Sequence, residues 1–321
     1  MTRRSAVPPP VTAVLDASSR WLPARLGEVE ERLRDAIADH GGVLGEDAAT
    51  TLAAGGKRLR PMLVLLCAGQ GGGAASVRAA TAIELVHMAT LVHDDVLDDA
   101  PLRRGLPTVA ATSGRDRALA TGDLLLSRAF ALLSDAGDVR SVELLADAAV
   151  ALARGELAQR QDAFDLGIGE ERYLARCRLK TAKLFECACL LGEDDEPLRA
   201  FGAEVGLAFQ LLDDVLDVSG PPERTGKARG TDLLDGTVTL PLIEAAAADP
   251  GIREVDLQGL DPASAEALCD RIAATGALER VRARALEMVA AGKRAIDAAA
   301  FEPEQRQLLA LVADGVVQRY S

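Results

Sequence analysis

VRAATAIELVHMATLVHDDVLDD, residues 77–99, is the stretch from which the rest of this chain is read. Val77, Ile83, Leu85, Met88, Leu91 and Val92 recur at helical rather than alternating spacing. The run closes in the pentad DDVLD at 94–98. On a helix, Asp94 and Asp98 lie one turn apart on one face. The same pentad returns at 213–217 within FQLLDDVLDV, where Asp213 and Asp217 repeat the spacing and Gln210 joins them at i−3 from Asp213. Carboxylates this close repel one another. One copy reads most simply as an acidic surface patch; an identical pentad in two apolar helices argues against that. A hard divalent cation offsets the repulsion. Carboxylate-only donors suit Mg²⁺, which keeps waters and shares its shell with phosphate oxygens, and they disfavour zinc.

The helical pattern extends in both directions. Leu22, Leu26, Val29, Leu33 and Ile37 mark a helix ended by Gly41-Gly42. Further helices are expected near 47–54, 60–69, 75–99, 115–135, 139–164, 170–191, 196–218, 238–248, 262–274, 277–299 and 303–319. Turn signals separate them, among them DAGD at 135–138 and SGPP at 219–222. No alternating strand pattern stands out, and no interior linker marks a boundary. The expectation is an all-α, single-domain helical bundle over 21–321 behind a flexible tail, residues 1–20. The start, MTRRSAVPPPVTAV, lacks the apolar region of an export signal. No apolar run reaches the roughly 18 residues of a membrane span.

Composition narrows the function. Of 321 residues, 36 are basic and 49 acidic, a net charge of −13, which argues against nucleic acid and against a polybasic membrane anchor. Hydrophobic residues are 49% but aromatics only 3%, so the core is built from Ala, Leu and Val, a mixture that favours helices. Cys67, Cys177, Cys187, Cys189 and Cys269 show no zinc-type spacing. Cys187 and Cys189, a CxC inside ECACLL, read as small buried hydrophobes. A reducing, cytoplasmic location follows.

The scarce cations gather near phosphate-like motifs. GGKRLRP at 55–61 sets Lys57, Arg58 and Arg60 beside two glycines, and Arg103 and Arg104 follow the first pentad. Glycine permits close backbone approach and arginine grips phosphate oxygens in pairs. Only five lysines occur, and three fall in GGKR, in LKT at 179–181 and in TGKARGTD at 225–232. His87, seven residues before Asp94, is either a core histidine or a phosphate contact; His93 reads as packing. Carboxylates, Mg²⁺ and a cationic rim describe a diphosphate site.

These motifs resemble the trans-prenyltransferases, the polyprenyl diphosphate synthase family. The likeness runs over about 25–245 through GGKRLRP, ELVHMATLVHDDVLDDAPLRRGLPT, TGDLLLSRA, KT, FQLLDDVLD, GK and GTDLLDGTVTLPLI. It implies ten or more helices around a deep central cavity, and a homodimer, with a heteromeric partner left open. It implies head-to-tail condensation of an allylic diphosphate with isopentenyl diphosphate. By this resemblance Asp94, Asp98 and Asp213 bind Mg²⁺, three ions with substrate bound, helped by Asp95, Asp214 and Asp217. Lys57, Arg60, His87 and Arg104 hold isopentenyl diphosphate. Arg103, Lys180, Thr181, Gln210 and Lys227 face the allylic diphosphate. One departure stands out: Thr237 occupies a position where the family usually has lysine. Ala89 and Thr90, small residues a turn before Asp94, imply a product longer than twenty carbons unless Phe130 or Phe164 plugs the cavity.

Rival readings are a shorter-chain geranylgeranyl or farnesyl synthase, a class I terpene cyclase, a metal phosphohydrolase built on His93-Asp94, and a non-catalytic partner subunit. A cyclase has no use for GGKRLRP, a phosphohydrolase needs more histidines, and a non-catalytic subunit usually lacks the acidic pentads, which are complete here.

Overall fold

A computed structural model describes residues 9–18, 21–38, 42–220 and 229–318. Its contacts divide the chain into two compact units. The first is Met1–Ala149, Cys187–Arg199 and Ala299–Gly315; the second is Val150–Glu186, Ala200–Ala298 and Val316–Ser321.

The first unit is built on α5 (Gly73–Leu97), whose 25 residues are buried on nearly every side. A helix that is apolar all round belongs inside a protein. Val77, Ala80, Ile83, Leu85 and Val86 have no exposed surface. Around it pack α2 (Trp21–Ala38), α4 (Leu59–Ala68) and α7 (Arg115–Ser134). Met62 to Cys67 of α4 are buried without a break. Gln70–Leu97 is long and apolar enough to cross a membrane, contrary to the sequence expectation, but 72% of its most apolar window is buried inside the protein. Small residues set the spacing of these helices. A Cβ on Gly192, the last residue of α10 (Lys183–Gly192), would lie 2.5 Å from the Val64 carbonyl.

The second unit carries the end of α8 (Val139–Gln161), then α9 (Glu170–Cys177), a π turn (Arg178–Ala182) and most of α11 (Glu196–Ser219). Helices Leu240–Ala248, Pro262–Ala274 and Ala277–Asp297 complete it. The three most fully buried aromatic side chains, Tyr173, Phe185 and Phe201, all lie here. A core of Ala, Leu and Val is thus anchored locally by rings, with Phe185 and Phe209 at 5.3 Å between centroids.

Several boundaries differ from the sequence reading. Part of the flexible tail is α1 (Pro9–Ala17), with Val14 buried and prolines in its first turn, where no N–H is needed. Gly42 opens α3 (Gly42–Ala53) rather than ending the helix before it. The helix expected over 170–191 is interrupted by the π turn. A two-stranded hairpin, β1 (Leu102–Arg103) and β2 (Leu106–Pro107), precedes α6 (Val109–Ser113). All five cysteines are free and buried, as small hydrophobes.

Candidate active site

The first acidic pentad closes α5. Asp98 caps the helix, its N–H bonded to the Asp94 carbonyl at 2.8 Å. Asp94 is half-buried and Asp98 exposed. Asp95 between them is buried and accepts from Arg103 Nε at 2.7 Å. The pentad therefore splits into two outer carboxylates and an inner one that holds the hairpin. The outer pair sits at the C-terminal end of a long helix, where the backbone adds roughly half a negative charge. Carboxylates placed there sharpen the attraction for a cation.

The hairpin pairs Leu102 with Pro107 and Arg103 with Leu106, leaving Arg104-Gly105 as a two-residue turn. Both have positive φ, 54° and 77°, the geometry of a type I′ turn. Arginine at the first position costs about 1 kcal/mol or more. Arg58 and Asp99 share this unusual backbone, at φ 47° and 46°. Two of the four positive-φ non-glycine residues among those described, Asp99 and Arg104, thus closely follow the first pentad. Such strain clusters at functional sites.

The GGKRLRP loop uses its cations unequally. Lys57 is exposed. Arg58 is clamped, its Nη1 on buried Glu84 at 2.7 Å and its Nε on Glu30. Arg60 is half-buried. A Cβ on Gly56 would lie 3.1 Å from Arg58 Nη1 and 3.4 Å from Arg104 Nη1, so the second glycine lets two guanidinium groups converge. Beside them His87 is pushed well below the usual histidine range, by burial first and then by Arg60, Arg104, Arg103 and Arg58. It is therefore neutral at neutral pH, with one N–H to donate. His93 turns elsewhere. Its Nε2 lies 3.3 Å from the Leu119 carbonyl and 3.4 Å from Asp123, and a Cβ on Gly122 would sit 2.2 Å from it. His93 is thus engaged with α7, and Gly122 of TGDLLLSRA makes room for the ring.

The second pentad occupies the last two turns of α11 and repeats the division. Asp213 and Asp217 are half-buried, and Asp214 is buried. Asp214 accepts from Tyr173 Oη at 2.5 Å and from Gln210 Nε2 at 2.7 Å. Its pKa is pushed up to about 8, by burial first and then by the negative charge of Asp232. Thr181 Oγ1 donates to Gln210 Oε1 at 2.6 Å. Lys180, within the π turn, pairs with Glu156 of α8. A Cβ on Gly155 would lie 2.5 Å from the Lys180 backbone nitrogen, so α8 approaches the turn through that glycine.

Sequence reasoning missed Asp232, whose N–H donates to Asp217 Oδ2 at 3.2 Å; its place in GTDLLDG was the available signal. It also missed Tyr173, Glu84 and Glu156, for which no local motif exists. Thr237 sits on a pinned segment. Phe164 N–H bonds the Gly236 carbonyl at 2.8 Å, and Arg176 bonds the Val238 carbonyl. Phe164 lies against Gly236, where a Cβ would meet its ring at 2.3 Å. Ala89 is buried, and Thr90 Oγ1 donates to the His87 carbonyl at 2.8 Å. Lys227 lies outside the described residues.

Residues 43–269 match the Polyprenyl synthetase family. The chain belongs to that family. Among its relatives, the heptaprenyl diphosphate synthase component 2 of Geobacillus stearothermophilus is 41% identical over 278 residues, 83% of this chain and 87% of the relative. The octaprenyl diphosphate synthase of Escherichia coli strain K12 is 38% identical over 248 residues, 73% of this chain and 77% of that one. Among solved structures, a polyprenyl synthase from Caulobacter crescentus CB15, complexed with calcium and isoprenyl diphosphate, superposes with a TM-score of 0.89 at 32% identity over 96% of this chain and 98% of its own. A decaprenyl diphosphate synthase from Rhodobacter capsulatus gives 0.87 at 33% identity over 97% and 99%. Polyprenyl synthetase membership accounts for the ordered motifs and the all-helical architecture together.

Proposed function

We propose that this polyprenyl synthetase joins an allylic diphosphate to isopentenyl diphosphate, head to tail, releasing diphosphate and building a polyprenyl diphosphate of more than twenty carbons. The observation that carries it is the shared division of labour in the two pentads. The inner aspartates, Asp95 and Asp214, are held by protein donors. The outer ones, Asp94, Asp98, Asp213 and Asp217, sit less buried at the C-terminal ends of α5 and α11.

That donor set fits Mg²⁺, three ions with substrate bound. Among the described residues, no three His, Cys, Asp or Glu side chains form a ready-made cage. Magnesium uses few protein carboxylates and takes its remaining oxygens from water and phosphate. The calcium in the Caulobacter relative is a divalent cation of the same hard class. When bound, such ions stabilise charge building on a departing diphosphate. Asp94, Asp98 and Asp213 would hold them. Lys57, Arg60, Arg104 and neutral His87 bind and orient isopentenyl diphosphate. Arg103, Lys180, Thr181 and Gln210 are assigned to the allylic diphosphate, together with Lys227 from outside the described residues. The isopentenyl double bond attacks the allylic cation, and the released diphosphate accepts the proton, so no protein base is assigned.

Product length follows from Ala89 and Thr90, whose small side chains do not block a growing chain, and from relatives named for hepta- and octaprenyl products. A homodimer is the working assembly, and the relatives named as component 2 keep a heteromeric partner in view. A cytoplasmic location is part of this reading, supported by five free, buried cysteines. One assay tests the whole reading: labelled isopentenyl diphosphate, Mg²⁺ and allylic primers of increasing length, with the products sized. Polyprenyl product is expected. No product from any primer, with or without a partner subunit added, rejects it.

A further inference from the structure

We propose that Tyr173 is a positioning residue for prenyl transfer: through Asp214 and Gln210 it sets the Thr181 hydroxyl in register with the outer carboxylates Asp213 and Asp217. Four groups form an unbroken chain. Tyr173 Oη donates to Asp214 Oδ2, Gln210 Nε2 donates to Asp214 Oδ1, and Thr181 Oγ1 donates to Gln210 Oε1. Each bond fixes the next. The amide of Gln210 bridges Asp214 and Thr181, its Nε2 on Asp214 Oδ1 and its Oε1 on the Thr181 hydroxyl. Asp214 has each oxygen satisfied by one donor, and it is 2% exposed, so no bulk water replaces either donor.

The backbone explains how both ends of the chain reach α11. Tyr173 and Thr181 are eight residues apart along α9 and the π turn. The wider π turn adds less rotation per residue than an α turn, which keeps Thr181 on the face that carries Tyr173. Cys177, one turn after Tyr173, lies on that same face, close to Tyr173 and Asp214. Gly206 lets α11 approach: a Cβ there would sit 2.8 Å from Ala182 Cα and from Phe185 Cβ. The relay thus ties the Lys180-Thr181 turn to the second pentad, and the hydroxyl of Tyr173 is its buried anchor.

The inference rests on the prenyl-transfer reading, so its test has one readout that needs no turnover. In the full-length protein, Tyr173→Phe keeps the ring and removes the hydroxyl. The expected result is a kcat lower by about tenfold, the worth of one well-placed hydrogen bond. A raised KM for the allylic diphosphate and an unchanged KM for isopentenyl diphosphate should accompany it. Mg²⁺-dependent binding of inorganic diphosphate, measured by calorimetry, should weaken by about tenfold. Combining Tyr173→Phe with Thr181→Val should weaken that binding little more than the stronger single change, because both cut one chain. Multiplicative losses in the double variant would overturn the relay. So would unaltered diphosphate binding in Tyr173→Phe, or losses that fall equally on both substrates and track the folded fraction. Wild-type protein that binds Mg²⁺-diphosphate yet makes no product would instead reject prenyl transfer, with the relay still judged on binding.

Discussion

Lys57 and Arg58 are adjacent in GGKRLRP, yet their charges go to different places. Lys57 is exposed, whereas Arg58 neutralises Glu84, whose side chain is 4% exposed. Arg58→Ala should therefore destabilise the fold by about 3–5 kcal/mol in urea unfolding, because it strands a buried carboxylate. Arg58→Ala with Glu84→Leu should recover most of that loss. His87 carries a second prediction. Its folded pKa lies well below 6.5, so below pH 6.5 the unfolded chain binds a proton that the folded protein does not. The His87 contribution is complete above pH 6.5 and falls as pH drops toward the folded pKa, by at most about 1.4 kcal/mol per pH unit. His87→Gln should flatten the decline in urea midpoint between pH 7.5 and 5.5. An equally steep decline would show that other groups set it. At this scale the sequence singled out the outer aspartates and the basic loops, and the structure shows the outer aspartates to be less buried than the inner ones. The sequence did not reveal that Arg58, Asp95 and Asp214 are spent on holding the others, because their partners are remote in the chain.

At the scale of elements, hydrophobic period was enough to find the long helices. It was not enough for the hairpin at 102–107 or the π turn at 178–182. A two-residue turn with arginine in its first position violates local preference, and the Asp95–Arg103 bond outweighs it. The π turn sits where Gly155 lets α8 reach the Lys180 backbone, a tertiary contact with no local trace. Glycines at such crossings give a sharp prediction. Gly122→Ala should lower stability by about 1–3 kcal/mol through overpacking against the His93 ring, seen as a lower Tm. His93→Ala added to it should restore much of the loss. A neutral Gly122→Ala would mean that the ring has another place to go.

For the whole molecule, the two pentads belong to different compact units, and the proposed reaction assigns a role to each. Asp94→Ala and Asp213→Ala should each lower kcat by orders of magnitude while leaving Tm within a few degrees, since neither aspartate is buried. Near-normal turnover in either variant would remove that pentad from the reaction. Ala89→Phe should shorten the sized product by one or more isoprene units, and an unchanged length would locate the limit elsewhere. Thr237→Lys adds the cation that the family usually carries there and should lower the KM for short allylic primers.

Helical class, the repeated acidic pentad and the diphosphate chemistry were determined by the sequence itself. Periodicity, identical short motifs and cation placement are local properties that a linear reading preserves. Tertiary structure alone decided which carboxylate of each pentad is buried against a protein donor, which arginine is committed to a buried glutamate, and that Tyr173, Asp214, Gln210 and Thr181 form one chain. Those assignments depend on which groups become buried together. Burial makes every polar group take a specific partner, and the partner comes from packing rather than from neighbours in the chain.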